Sequence, residues 1–330
     1  MKDSSTVRMT DGSLWKNIFI FSIPLMCSNL LQVLFNMSDI AVVGQFAGKE
    51  ALGAVGSCTT AVSLFTGLLI GMGGGINAIA ARYEGAGDRV RIGKTVHSSL
   101  LISLIYGFSI MVLGLLLIDK LLIVLKTKDE LLADAILYMR VYLLGTPALA
   151  IYNFGNGILS AAGDSKRPLY YLFAAGMVNI VLNLFFVVVC NLSVMGVALA
   201  SAISQYLSAF LILRRLFTCS TEYALSMHEM RIDGVITKIV LMLGLPTALQ
   251  NAIFAVANLF IQAAVNSFDT LMVEGNSAAA NADALIYDMM AAFYVACTTF
   301  MGQNLGAGKN ERVRHGCRSG VAIGMTMGAI

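Results

Sequence analysis

The chain predicts an all-α membrane protein, a polytopic helical bundle, and three observations carry that prediction. Hydrophobic residues make up 58% of the sequence and charged residues 12%, against about 25% charged in a soluble domain. Uncharged or nearly uncharged runs long enough to span hydrocarbon as helices recur between short polar punctuations. The runs are continuous rather than alternating, which excludes a membrane barrel built of roughly 10-residue strands.

The spans fall at 18–43, 52–81, 96–118, 135–159, 169–190, 192–213, 236–265 and 277–301. A ninth opens near Ser319 and reaches Ile330, too short a run to cross. The expectation is therefore about eight complete helices, the start of a ninth, and a chain that stops inside a helix. Residues 1–12 are polar, and the first span is too long and lacks an A-x-A site for a removable signal peptide. In the second span GMGGG at 71–75 resembles a dinucleotide turn, but Ile76 occupies the last glycine position and no strand precedes it. Small residues for close helix packing are the better reading.

Basic residues set the orientation. Of the 22 Lys and Arg, Lys49, Lys120, Lys126, Lys128 and Arg140 fall on one side of alternating spans and the other 17 on the opposite side. Loops rich in Lys and Arg stay inside, so the N-terminus is expected in the cytoplasm and the chain in the plasma membrane, multi-pass. The net charge of +3 reports this topology; with no long basic tract, nucleic acid is not an expected partner.

Other chemistries are excluded residue by residue. The six Cys are scattered, mostly inside spans, without paired spacing, and read as small buried residues. The three His show no metal spacing. GAGK at 306–309 looks like the tail of a phosphate loop, but Gln303 and Asn310 stand where that pattern needs Gly and Ser or Thr. No nucleophile–base constellation marks an enzyme, and no metal or organic cofactor is expected.

The sequence repeats. YEGAGDRVRIGK at 83–94 returns as NLGAGKNERVRH at 304–315, which sets Gly85 over Gly306. IPLMCSNLLQVLFNM at 23–37 lines up with LPTALQNAIFAVANL at 245–259, which sets Asn29 over Asn251 and Asn36 over Asn258. The period is too long for a solenoid unit. Six spans separate equivalent points, an even number, so the copies face the same way about an axis along the membrane normal. Residues 1–222 are expected to form an N-terminal six-helix lobe with a short cytoplasmic N-terminus. Residues 223–330 are expected to form an incomplete C-terminal lobe holding helices seven, eight and the start of nine. The GAG segments become corresponding cytoplasmic turns in which Gly permits the tight reversal.

These residues carry a resemblance. SIP at 22–24 followed by Asp39, GAGDRVRIGK after the second helix, SAAGDSKRP at 160–168, Asn179 and Asn183 in the fifth, and GQNLGAGK at 302–309 resemble the multidrug and toxic compound extrusion (MATE) family of cation-coupled antiporters. The resemblance covers the whole chain as a C-terminally truncated member. It implies a parallel-repeat MATE-like fold whose two lobes face each other in a V. A central cavity would take bulky, often cationic compounds, with alternating access driven by a proton or sodium gradient.

Polar residues inside the spans are the candidate site. Asn29, Gln32, Asn36 and Asp39 fall within about 80° of one another on the first helix, a stripe that must face protein or water. Asp39 is the sharpest of them, because an intramembrane carboxylate costs about 2.5–3.5 kcal/mol or more to insert and is a functional candidate by default. Proton and cationic cargo would compete for it; the bland alternative is a carboxylate at the outer helix end reaching water. The resemblance aligns Asp39 with the first-helix acid held responsible for proton coupling. Asn179 and Asn183 share one helix face and could bridge that acid to a hydroxyl or merely hold helices together. Some relatives are acidic at the second position, where this chain has Asn183.

In the seventh span Asn251, Asn258 and Gln262 form a matching stripe without a carboxylate. Sodium-coupled relatives place Glu where this chain has Phe254, which puts that branch's sodium site in doubt. Asp283 and Asp288 lie in the eighth span, Asp288 nearer the middle, as a cation-binding or second coupling acid or as the partner of a basic residue. Tyr142 is a further candidate beside Asp39. Asp164, Lys166 and Arg167 read as a structural turn or part of an inner gate. The expected function is a proton-coupled, secondly sodium-coupled, exporter of organic cations, a monomer whose partners are small cationic substrates and membrane lipid. A flippase for lipid-linked oligosaccharides is the alternative, and a receptor or channel a third.

Overall fold

A computed structural model describes residues 7–125, 127–265 and 270–329, apart from the side chains at 259, 262–263, 270–278, 280–282, 284–285 and 327–329. The described residues form ten α-helices and no strand: α1 (Leu14–Phe46), α2 (Lys49–Ala86), α3 (Arg89–Val124), α4 (Asp129–Leu143), α5 (Thr146–Ala161), α6 (Lys166–Leu184), α7 (Ser193–Thr218), α8 (Gly234–Val265), α9 (Thr270–Gly306) and α10 (Asn310–Ala329). Six of them, α1, α2, α3, α6 with the π-helical turn that follows it, α7 and α8, are long and apolar enough to cross a membrane. The expected eighth span is the 37-residue α9, more polar because it carries Asn276, Asn281, Asp283 and Asp288.

Two boundaries differ from the sequence reading. The fourth span, expected to be continuous over 135–159, is α4 and α5 bent by 46° across the residues between them. Pro147 sits in the first turn of α5; its ring cannot continue a helix from the N-terminal side. The helix expected to open near Ser319 starts at Asn310, because its charged first turns, with Glu311, Arg312 and Arg314, lie outside the apolar run that marks a span.

The repeat is visible in the backbone. α1 and α8 carry Pro24 and Pro246 inside them. Gly87, after α2, and Gly308, after α9, both take left-handed backbone at φ 67° and 71°, the helix-ending conformation that Gly adopts without steric cost. Each GAG motif thus ends on the glycine that turns the chain. The first glycine of each does something else. A Cβ on Gly85 would fall 1.8 Å from the Gln303 carbonyl oxygen, and one on Gly306 would fall 1.9 Å from that of Arg82. Here α2 and α9 meet backbone to backbone, and the end of the bundle that carries both turns is shut.

α2 is the central strut. The GMGGG run packs it on two sides at once: Cβ atoms on Gly71 and Gly75 would come within 2.4 and 2.5 Å of Ala248 and Gly244 in α8, while Gly73 meets Asn153 of α5. Close approach through small residues is a common way to join helices in lipid. A buried cluster around Met9, Ile18, Phe21, Phe293 and Phe300 seals the corresponding contact of α1 with α9.

Candidate functional site

Asp39 lies 25 residues along α1 from its start, roughly 37 Å from the end with the GAG turns at 1.5 Å per residue. It is 8% exposed and faces α6 and α7 rather than solvent. One carboxylate oxygen accepts from the Asn183 side-chain amide; the other accepts from the Ser201 hydroxyl at 3.2 Å. Asn183 also donates to Asn179 Oδ1 at 3.2 Å, and Asn179 donates to Ser201 Oγ at 3.4 Å. The four side chains close a ring in which the last hydrogen bonds converge on the carboxylate.

The local fold explains the register. Asn179 and Asn183 are one helical turn apart on α6, so both reach the same neighbour. Phe35, one turn before Asp39, lays its ring on Gly176, one turn before Asn179: a Cβ there would fall 1.9 Å from the ring. That glycine lets α1 and α6 approach until the acid and the amides touch. α6 then ends in a single π-helical turn, Phe185–Val189, a wider backbone form found mostly as short inserts at functional sites.

Among the described residues one atom of the ring has no partner. Asn183 Oδ1 is buried without a hydrogen bond, and leaving a buried acceptor unpaired costs about 1–3 kcal/mol. The arrangement suits an ionised Asp39, which can only accept. A protonated Asp39 would have a hydrogen to donate, and Asn183 Oδ1 lies on the residue beside it.

The remaining predicted residues are placed as follows. Asn29 is half-buried and donates to the backbone carbonyl of Asp288 at 2.7 Å; Asn251 donates to that of Gly67 at 3.0 Å. These two asparagines thus bridge the repeats. Gln32 is half-buried, while Asn36 and Asn258 are exposed. The Asp288 side chain is half-buried, and Asp283 is exposed; the side chain of Gln262 lies outside the described residues. Tyr142 is buried, stacked on Tyr138 with ring centroids 6.2 Å apart, and its hydroxyl pairs with Thr66 at 3.3 Å rather than with Asp39. Asp164 is fully buried, caps α6 by accepting from the Arg167 amide, and holds the Arg167 guanidinium at 2.6 Å.

Sequence reading did not single out Ser201. It sits among the small residues of VALASAISQ, where a serine carries no signal of its own. Asn77 and Thr299 were missed for the same reason: they pair at 3.2 Å between α2 and α9, and Asn77 also donates to the Gly157 carbonyl. A cavity of about 300 Å³ runs along α8, lined by Pro246, Leu249, Gln250, Ile253, Phe254 and Ala257. It occupies a different face from Gly244, Ala248 and Asn251, which meet α2, and contains none of the polar stripe.

The repeated geometry has a counterpart in known proteins. The MatE family pattern matches residues 24–185 and again 246–330, and the two matches begin at Pro24 and Pro246. The chain belongs to the MatE family. It is 30% identical over 311 residues to the probable multidrug resistance protein YpnP of Bacillus subtilis, covering 92% of this chain and 68% of that one. A multidrug resistance MATE family transporter of the MOP superfamily, solved in an outward-facing conformation, superposes with a TM-score of 0.88 at 27% identity, over 99% of this chain and 73% of that one. A MOP superfamily transporter from Pyrococcus furiosus, described as having a binding pocket of reversed polarity that suggests a different function, superposes with a TM-score of 0.90 at 27% identity, over 99% and 73%. MatE proteins are transporters, not enzymes, and this member is a multi-pass membrane protein.

Proposed function

We propose that this MatE protein is a cation-coupled antiporter, with the proton as its coupling ion, that exports organic cations across the plasma membrane. The observation that carries the reading is the buried Asp39, held by Asn183 and Ser201. An acid inside a membrane bundle is expensive and marks an ion pathway by default. Relatives named for multidrug resistance support drug-like cargo.

Ionised Asp39 accepts two hydrogen bonds and attracts a cation. A proton removes the charge and gives the acid a hydrogen to donate, so the Asn183 amide must turn its Oδ1 towards the carboxyl and withdraw its donor. That exchange breaks the ring through Asn179 and Ser201. Because these groups sit on α1, α6 and α7, protonation alters the packing of three helices, and cargo and proton exclude each other. Lobes 1–222 and 223–330 then rock about their interface, with both GAG turns on the cytoplasmic side where the Lys and Arg excess places them. Asn36, Gln32 and Asp288 contribute polar wall to the cavity between the lobes, and the protein works as a monomer.

Proteoliposomes carrying an inward-acid proton gradient test this. Parent protein should accumulate a cationic dye and release protons when the dye binds. Asp39→Asn, at unchanged membrane level, should do neither; dye transport by that variant at the parent rate would refute the proposal, and dependence on a sodium gradient instead would replace the coupling ion.

A further inference from the structure

Each of the two basic turns grips a piece of chain that belongs to the other repeat. The segment leading into α1 crosses to the turn between α9 and α10. Met9 N–H donates to Gln303 Oε1 at 3.1 Å, and the Met9 carbonyl accepts from Asn304 at 3.0 Å and from the Arg312 guanidinium at 3.3 Å. Arg312 also reaches the Gly12 carbonyl at 3.1 Å, and Lys309 reaches the Thr10 carbonyl at 2.8 Å and Asp11 at 3.1 Å. On its other side the same segment is tied to the first repeat, where Val7 N–H donates to the Gly163 carbonyl at 3.0 Å.

The segment leading into α8 does the reciprocal thing. Tyr223 donates to Glu84 at 2.6 Å, Glu222 pairs with Arg89 at 2.8 Å and Asp233 with Lys94 at 3.2 Å. Ser226 N–H donates to His97 Nε2 at 2.9 Å, and Ser98 joins the Arg231 carbonyl and Asp233 N–H at 3.0 and 2.9 Å. So the chain before the first helix of each repeat is strapped to the second and third helices of the other.

We infer that the strap at residues 7–12 is the releasable latch that keeps the end with the GAG turns shut, and that it must leave the α9–α10 turn before that end can open. Its construction fits release. It has one fully buried apolar anchor, Met9, with Val7 partly buried beside it, and otherwise holds through hydrogen bonds to its own backbone, several of them exposed, and the exposed Asp11–Lys309 pair. Segments with few buried contacts and solvent-exposed hydrogen bonds open at low free-energy cost. The α8 strap buries Tyr223 and Leu225 and continues directly into two helices, so it serves as the standing tether. Gln303 joins latch to core, because its Nε2 donates to the Ala161 carbonyl at 2.8 Å while its Oε1 takes Met9 N–H. This inference rests on the alternating-access reading above.

The test uses the full chain in lipid nanodiscs, with the native cysteines replaced and spin labels at Val90, which is 71% exposed on α3, and at exposed Arg314 on α10. Met9→Ser should raise the ratio of long to short label distances about tenfold, the change that roughly 1.4 kcal/mol gives; Met9→Leu should leave it at the parent value. Oxidation of a Thr10→Cys, Lys309→Cys pair should abolish the long-distance population, and reductant should restore it. Identical distance distributions in Met9→Ser and parent, or a long-distance population that survives the disulfide, would overturn the latch. Dye-driven proton release on the same samples separates the two proposals: shifted distances without proton release keep the latch and remove the antiport reading, and proton release with unshifted distances does the reverse.

Discussion

Asn29 and Asn251, equivalent positions of the two repeats, make the same hydrogen bond. Each donates from the first helix of its repeat to a mid-helix carbonyl of the other repeat, Asn29 to Asp288 and Asn251 to Gly67. Those two acceptors are themselves equivalent, since Gly67 falls over Asp288 in the register that sets Gly85 over Gly306. The duplication therefore extends from spans and turns to single donor and acceptor atoms, and it lies at the interface where the two repeats meet.

Equal bonds should have equal weight. Asn29→Ala and Asn251→Ala are each expected to lower stability by about 1 kcal/mol, the usual net worth of such a bond, and the double variant by their sum, since the sites share no partner. Chemical unfolding in detergent measures this. A cost confined to one of the two would show that the repeats do not share the interface evenly.

The contact of Phe35 with Gly176 holds Asp39 against the amides of α6. Gly176→Leu should drive α1 from α6 and lower proton-coupled dye uptake at least tenfold, while Phe35→Ala in the same chain should recover part of it by making room. Uptake by Gly176→Leu at the parent level would separate the ring around Asp39 from the helix spacing.

Within GMGGG the glycines are not equivalent. Gly74 has open space where a Cβ would go, so Gly74→Ala should be neutral or stabilising by up to about 1 kcal/mol through helix propensity. Gly71→Ala would push a methyl to 2.4 Å from Ala248 Cα and should markedly lower the unfolding midpoint. Thermal melts of the two variants, neighbours on one helix, check the prediction.

Asp11 and Asp233, the carboxylates of the two straps, are both held below the ordinary 3.8. Hydrogen bonding and charge from Lys309 act first on Asp11, and the Ile236 amide followed by Lys94 on Asp233. A depressed folded value means that the contact is fully present above 3.8 and is lost as pH falls through the lowered value. Titration of these two carboxylates should therefore not loosen either strap anywhere within pH 5–8. Any transport midpoint in that range should survive Asp11→Asn and vanish with Asp39→Asn, which pH profiles of dye uptake would show.

Much of this architecture is legible along the chain. Span positions follow from runs of apolar residues, because hydrocarbon demands a continuous length of them, and the turns follow from Gly before charge. The bend between α4 and α5 was not visible as a break in hydropathy, since Gly145, Thr146 and Pro147 interrupt geometry without adding charge. The site was half legible. Asp39, Asn179 and Asn183 stand out as costly polar groups in apolar helices, whereas Ser201 is one serine among several on α7, and only its approach to Asp39 distinguishes it.

The sequence by itself determines that this is a duplicated helical membrane bundle, because composition and periodicity are local properties that the bilayer reads one segment at a time. Tertiary structure alone decides that Asp39 on α1 finds Ser201 on the distant α7 and that Asn29 and Asn251 reach backbone across the interface. It alone decides, too, that the first glycine of each GAG motif packs helices while the second turns the chain. Those outcomes depend on which side chains are brought within about 3 Å of one another by helix crossings, and no pattern along a single helix encodes its neighbour.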